Sequence, residues 1–214
     1  MKVYLVRHAE IEKNVLYEAA YYALGRNASR QDFKSLFKNP TPELKERYEN
    51  LSGLIFPPDL STDVIEEMQN NITPKGKLQA KSLGRILRSI NPSFVTSPSP
   101  RAVQTAYMIA FAMGINPYDI HIDSEQDFLC EQDNPNIYDA IKFSDLLESY
   151  LTKKPIDHPF IVVSHGNILT AVHNLFFPDF NLRAYSNCGL TVLESNPKLR
   201  IIQPHKTLEE LFQN

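Results

Sequence analysis

Two histidines stand at matching places in this chain. Arg7-His8 follows the apolar run Val3-Tyr4-Leu5-Val6, and Ser164-His165-Gly166 follows Phe160-Ile161-Val162-Val163. An imidazole can serve near neutral pH as nucleophile, base or hydrogen-bond donor, and an adjoining arginine adds a fixed positive charge suited to a phosphate or carboxylate. Short apolar runs of this kind read as buried strands. In an open α/β sheet the carboxyl ends of the strands share one rim, so residues far apart in sequence converge on one ligand there. The two segments therefore point to a nucleophile-and-partner site.

The elements around them follow a β-α-β rhythm. After the first strand, residues 15–72 change character: they are aromatic and polar, with Tyr17, Tyr21, Tyr22, Phe33, Phe37 and Tyr48, and they end in Phe56-Pro57-Pro58. This stretch reads as a helical insertion with helices near 15–25 and 42–52, the second opened by Thr41-Pro42-Glu43. Thr73-Pro74-Lys75-Gly76 opens a helix through Arg88, with Leu78, Leu83, Ile86 and Leu87 assigned to one face. A strand over Phe94 to Ser97, a helix from Arg101 to Met113 stopped by Gly114, and a short strand at Ile120-His121-Ile122 come next. A helix near 137–151 precedes the strand at 160–164, and Asn167 to Phe176 forms another. Two strands at 190–193 and 199–202, joined by an Asn196-Pro197 turn, close the sheet as a hairpin. The expected architecture is a three-layer α/β/α sandwich with a mixed, mainly parallel sheet, in a single domain spanning 1–214 that carries 15–72 as a lid or subdomain.

Composition narrows the classes. With 43% apolar residues in 214, the chain can bury a substantial core, and its formal charge of −3 offers no general attraction for nucleic acid or an anionic membrane. The two cysteines, Cys130 and Cys188, form no CxxC pair, which argues against a disulfide framework or a thiolate zinc site. The apolar run in MKVYLVRH is too short for a secretory core and no stretch approaches the length of a membrane span, so a cytoplasmic location is expected. His121, His158, His173 and His205 have no metal-ligand spacing, and there is no HExxH.

Four ordered segments carry a resemblance. Arg7-His8-Ala9-Glu10, Thr73-x-x-Gly76-x-x-Gln79-Ala80, Ser97-Pro-Ser-Pro-Arg101-Ala-Val-Gln104-Thr105-Ala106 and Ser164-His165-Gly166 together resemble the histidine phosphatase superfamily, the phosphoglycerate-mutase-like enzymes, with Ala9 in place of the family's glycine. The resemblance covers the start and roughly residues 73–193. It implies that His8 accepts the phosphoryl group while Arg7, Arg101 and His165 hold the phosphate oxygens, with no cofactor and no metal. The physics agrees with that division: phosphoryl transfer needs an in-line nucleophile and fixed positive charge around the equatorial oxygens. His8 must then be neutral at the attacking nitrogen, which neighbouring arginines favour, and a backbone carbonyl would fix its tautomer.

The leaving alkoxide needs a proton. The family's Leu-x-Glu segment is matched by Leu129-Cys130-Glu131, which makes Glu131 the expected acid, with Asp127 and Asp133 as alternatives; beyond it, Pro135, Tyr138 and Asp139 depart from the mutase pattern. By resemblance, Asn14 is a further phosphate ligand. Gly166 either leaves backbone N–H groups near an anion or serves close packing, and Glu10 either holds the nucleophile loop or forms a solvated salt bridge. The insertion has more acidic than basic residues and offers no clamp for a second phosphate. The expected function is a phosphomonoester hydrolase working through phospho-His8 on a phosphorylated small molecule or phosphoprotein. A phosphoglycerate-mutase-type phosphotransferase and a noncatalytic phospho-ligand binder are the alternatives. Natural substrate and oligomeric state are not legible.

Overall fold

Val3 to Val6 are fully or nearly buried and form the inner part of β1 (Lys2–Arg7), with Phe160 to Val163 doing the same in β3 (Phe160–Ser164). A strand covered on both faces has no polar alternation, which is why both read as continuous apolar runs. The computed structural model describes every residue except 26, 117–119, 121–128, 130, 132–133, 154–157, 180, 196–198 and 214. The expected strand at Ile120-His121-Ile122, the alternative acids Asp127 and Asp133, Cys130 and the Asn196-Pro197 turn fall wholly or partly outside the described residues.

The remaining elements are α1 (Glu12–Leu24), α2 (Arg30–Lys38), α3 (Pro42–Ser52), α4 (Thr62–Met68), α5 (Pro74–Ile86), β2 (Ser93–Thr96), α6 (Pro100–Met113), α7 (Ile137–Lys153), α8 (Gly166–Phe176), β4 (Leu190–Ser195), β5 (Leu199–Lys206) and α9 (Leu208–Leu211). They divide into two compact units, Glu10–Lys77 and the remainder of the chain.

In the larger unit the strand order is β2-β3-β1-β4-β5. β2 and β1 pair parallel with β3, β4 pairs antiparallel with β1, and β5 pairs antiparallel with β4. Four of the five described strands thus run one way and β4 alone opposes them, a mixed and mainly parallel sheet. Val3, Leu5, Val95, Phe160 and Val162 pack in one cluster with Phe143 and Leu147 of α7 and Ile168, Leu169 and Val172 of α8. The alternate residues Tyr4, Val6, Phe94, Ile161 and Val163 are buried on the opposite side, as the two-residue strand period requires. There α6 adjoins β2 and β3, giving the α/β/α sandwich. On α5 and the turn directly after it the buried apolar side chains are Ala80, Leu83 and Leu87, whereas Leu78 is 65% exposed. Leu78 and Leu83 lie five positions apart, about 140° around a helix, so the expected Leu78 face is displaced onto Ala80-Leu83-Leu87. Gly84 completes it, since a Cβ there would meet the Ile109 carbonyl of α6 at 2.4 Å.

The smaller unit holds four helices before α5, where the sequence pattern alone suggested two. Helices α2 and α4 are short, nine and seven residues, so their apolar periodicity is faint. Their start signals are local and clear: Ser29 and Asp32 form a capping box, and the Ser61 hydroxyl accepts from Val64 N–H. Val15, Leu16, Ala19, Ala20, Leu44, Tyr48 and Phe56 form its core, so the aromatic residues near 48–56 pack within this unit. At its base the Glu10 carboxylate accepts from Thr73 Oγ1 at 2.9 Å and from Lys75 Nζ at 2.9 Å. Thr73 Oγ1 also accepts from Gly76 N–H, and a Cβ on Gly76 would meet the Glu10 carbonyl at 2.4 Å. Glu10 therefore ties the loop that follows the nucleophile segment to the start of α5, and the Thr-x-x-Gly spacing is a consequence of that close approach. Among the described residues no helix is long and apolar enough to cross a membrane.

Candidate active site

The register places the strand ends side by side. Arg7 pairs with Ser164 and Thr96 with Val163. The ladders extend one step further, with His8 N–H donating to Ser164 O at 3.0 Å and Ser97 N–H to Val163 O at 2.9 Å. His8, Ser97 and His165 consequently leave the sheet as neighbours. A single residue, His165, separates β3 from α8, and Ser97-Pro98-Ser99 separates β2 from α6, whose first turn carries Pro100 and Arg101. The sheet thus brings together Arg7, His8, Arg101 and His165, and Glu131 joins them.

His8 is 3% exposed, and its Nδ1 lies 2.8 Å from the Ala9 carbonyl oxygen. A carbonyl only accepts, so Nδ1 carries the proton and Nε2 presents a lone pair. The Ala9 N–H donates to Thr105 Oγ1 at 3.0 Å, and that hydroxyl donates to the Arg101 carbonyl at 2.7 Å. Thr105, to which the sequence assigned no role, therefore fixes the loop that orients the His8 ring. The His8 and His165 ring centroids are 5.4 Å apart, edge to face. His165 Nε2 lies 2.8 Å from Ser97 Oγ, and its Nδ1 faces Arg101 Nη2 at 3.4 Å. With an arginine on Nδ1, which can only donate, His165 carries its proton on Nε2 and directs it to Ser97.

Arg101 is almost fully buried and donates to Glu131 Oε2 at 2.5 Å, while the Glu131 side chain is 39% exposed. The Ser164 hydroxyl donates to the Leu129 carbonyl at 3.0 Å, which anchors the segment bearing Glu131 to the end of β3. Arg7 Nη1 donates to the Tyr185 carbonyl, and Arg7 Nε is buried with no hydrogen-bond partner among the described residues. A Cβ on Gly166 would lie 2.9 Å from that Nε, so the glycine lets the guanidinium pass beneath the N-terminus of α8. An unsatisfied guanidinium N–H beside free helix N–H groups is an anion site in waiting. Arg7, His8, Glu131, Asn167, Arg183 and Tyr185 are among the residues lining a cavity of about 320 Å³. Asn14 is exposed on the first turn of α1 in the smaller unit, and its assignment rests on the sequence. Among the described residues no three His, Cys, Asp or Glu side chains cluster as a metal site would.

Residues 64–130, which include Arg101, match the model of the histidine phosphatase superfamily (branch 1). The segment that carries Arg101 is thus similar to the histidine phosphatase superfamily. Solved structures of similar fold span nearly the whole chain. YhfR of Bacillus stearothermophilus is 15% identical with a TM-score of 0.58, covering 94% of this chain and 95% of its own. A phosphoserine phosphatase mutant from Entamoeba histolytica, in complex with phosphoserine, is 15% identical with a TM-score of 0.56 and 98% of both chains covered. A phosphoglycerate mutase from Bacillus anthracis is 13% identical with a TM-score of 0.55, covering 100% of this chain and 96% of its own. No sequence among the curated proteins matches.

The site's electrostatics favour neutral imidazoles. Burial, then Arg7, His165 and Arg101, hold His8 well below the ordinary histidine range. Burial, then Arg101 and Arg7, push His165 down to about 3. His205, packed beside Tyr185, is lowered to about 4, chiefly by burial. Burial also raises the Cys188 thiol, so this residue offers no thiolate as a competing nucleophile.

Depressed histidines have a consequence for stability. Between its lowered native value and the ordinary value of about 6.5, each histidine binds more protons in the unfolded chain than in the fold, so stability rises with pH through that window and is lost as pH falls. Each histidine that stays neutral in the fold contributes a slope of up to about 1.4 kcal/mol per pH unit. The melting temperature is expected to be flat between about pH 7 and 8 and to fall steadily from about pH 6.5 to 4.5, less steeply in His165→Asn. A constant melting temperature down to about pH 4.5 would contradict the burial of these groups.

Gly166→Ala tests the Arg7 passage. Alanine is the better helix former by about 1 kcal/mol, so the melting temperature is expected to hold, while displacement of the guanidinium lowers kcat/KM for a phosphate monoester by on the order of tenfold to a hundredfold. Unchanged activity would show that Arg7 is not held in a working position by that contact.

Proposed function

We propose that this protein is a metal-independent phosphomonoester hydrolase that works through a phosphohistidine on His8. The observation that carries the reading is the His8 tautomer: the Ala9 carbonyl holds the Nδ1 proton, which leaves the Nε2 lone pair at the wall of a cavity also lined by Arg7. Nε2 attacks phosphorus and the bond to the leaving oxygen breaks. Arg7, Arg101 and the N–H groups at the start of α8 neutralise the charge spread over the equatorial oxygens. The Glu131 carboxyl group gives its proton to the departing alkoxide. In the second half, Glu131 takes a proton from water as that water attacks phosphorus, the N–P bond breaks, and neutral His8 and inorganic phosphate are regenerated.

Arg101 is engaged with Glu131 and His165. The substrate phosphate competes for these donors and frees the carboxyl group for the leaving oxygen. His165, relieved of Arg101, turns a ring N–H toward the phosphoryl oxygens. Water reaches Glu131 because its side chain is partly exposed, which favours hydrolysis over transfer between substrates.

The test is turnover of an aryl phosphate in excess EDTA together with quenching of a radiolabelled substrate. Release of inorganic phosphate resistant to EDTA, with an acid-labile, base-stable label on the protein, is expected. Turnover lost in EDTA and restored by a divalent metal would overturn the mechanism. Transfer to a second alcohol in preference to phosphate release would identify a mutase, and phosphate binding without any turnover a binder.

A further inference from the structure

Arg7 is held twice by one short segment. Its backbone carbonyl accepts from Cys188 N–H at 3.1 Å, and its Nη1 donates to the Tyr185 carbonyl. Between these two contacts the chain makes a turn, closed by Gly189 N–H donating to Ser186 O at 2.9 Å, and the turn is not a relaxed one. Cys188 sits at φ 52°, in the left-handed region that a residue with a Cβ occupies only where its surroundings hold it. Tyr185 is secured by its N–H, which donates to Thr170 Oγ1 of α8 at 3.0 Å, and by its hydroxyl, which donates to the Leu5 carbonyl of β1 at 2.9 Å. Ser186 is secured by a residue that the mechanism does not use, His205 of β5.

His205 Nε2 lies 3.3 Å from Ser186 N and 3.1 Å from Ser186 Oγ. A backbone N–H only donates, so Nε2 is the acceptor and the ring proton is on Nδ1, which is buried with no hydrogen-bond partner among the described residues. The ring packs on Tyr185 with centroids 4.1 Å apart, and a Cβ on Gly189 would meet its Cε1 at 2.2 Å. Gly189 thus admits the imidazole against the turn. Burial keeps the ring neutral, so its lone pair stays available to Ser186. If filling space were the whole task of this side chain, an apolar one would do it without burying an N–H that finds no partner. The nitrogen that is engaged meets Ser186, which stands between Tyr185 and Cys188, the two residues that hold Arg7.

We infer that His205 is a positioning residue for Arg7: by accepting from Ser186 it sets the turn that aims the Arg7 guanidinium at the phosphoryl group. This rests on the phosphomonoesterase reading and extends the anion site to a residue that touches no substrate. Losing the acceptor lets the turn relax and moves the guanidinium, and a misplacement of about an ångström at such a group corresponds to a loss on the order of tenfold to a hundredfold.

The experiment places His205→Leu, which has no acceptor, and His205→Gln, whose Oε1 can accept from Ser186, in the wild type and in Arg7→Ala. It measures kcat/KM for an aryl phosphate and, by calorimetry, the dissociation constant of inorganic phosphate. With Arg7 present, His205→Leu is expected to lower kcat/KM by about tenfold or more and to weaken phosphate by about fivefold or more, while His205→Gln returns both to within about threefold of wild type. In Arg7→Ala, His205→Leu should alter phosphate affinity by less than about twofold, because the residue it acts through is gone. The Arg7 Nε–H resonance in a proton–nitrogen correlation spectrum, identified by its disappearance in Arg7→Ala, should move in His205→Leu and return in His205→Gln. Equal losses with and without Arg7, or wild-type behaviour of His205→Leu, would overturn the proposal. Should His205→Leu fail to fold, His205→Met, which has the length of glutamine without its carbonyl, takes its place; loss of the fold in both would make His205 a purely structural residue and overturn the proposal as well. If no ester is hydrolysed, the phosphatase reading fails on its own, and the Arg7 resonance decides this inference without any ligand.

Discussion

Replacement of His8 by alanine is expected to lower kcat/KM for any phosphomonoester by about a thousandfold or more and to abolish the acid-labile label. The magnitude follows from the role: without Nε2 no covalent intermediate forms, and the remaining arginines can only bind the ester and polarise it toward water. Phosphate binding should survive, because Arg7, Arg101 and the start of α8 are untouched. The fold should survive too, since a buried imidazole whose protonation is disfavoured gives way to a smaller apolar side chain. His8→Asn is a useful second variant, because its amide can still donate to the Ala9 carbonyl while offering no nucleophile. Activity within about tenfold of wild type in either variant would remove His8 from the mechanism and leave the pocket as an anion site serving some other group.

Arg101→Ala has the second largest expected effect, a loss of on the order of a hundredfold to a thousandfold in kcat/KM, the scale associated with removal of one preorganised donor from a transition state. The position of Arg101 makes the loss specific. Its guanidinium is almost completely withdrawn from water and touches both Glu131 and His165, so deletion removes charge from the phosphoryl group and also unseats the acid and the partner imidazole. Thermal stability should fall less than activity, because the partner carboxylate is 39% exposed and regains solvation. Arg101→Lys keeps the charge without the two-pronged geometry and should recover only part of the rate. The pH profile separates this from a packing effect: loss of Arg101 removes a cation that holds His165 down, so the acid limb should move to higher pH in Arg101→Ala, whereas simple loosening would leave it in place. Activity within about threefold of wild type would show that Arg101 holds no phosphoryl oxygen.

Much of this was legible because the chemistry sits at strand ends. An apolar run that stops at Arg7-His8 or Ser164-His165 marks both the strand and the rim it reaches, and Pro100 before Arg101 and Gly114 after Met113 bracket α6 as helix punctuation does. Helices α2 and α4 escaped because nine and seven residues give too few turns for a period to show, although the Ser29 and Asp32 capping box was present in the sequence. Leu78 was misplaced by about 140° because several leucines in one helix invite a face before its geometry is counted.

The sequence by itself marked the candidate reacting groups, the strands that end at them and the segments that resemble the histidine phosphatase superfamily, since these depend on residue type and on periodicities within a dozen positions. Tertiary structure alone decided which His8 nitrogen is free, that Ser164 anchors the Leu129 carbonyl, and that Thr105 holds Ala9. It also decided that Tyr185 and Arg183 stand beside Arg7, about 180 residues away in sequence. These are contacts between side chains and the main chain of distant segments. Their geometry depends on the register of β1 against β3 and on the placement of α8, quantities that no local pattern encodes because they arise only when separate hydrophobic faces close on one another.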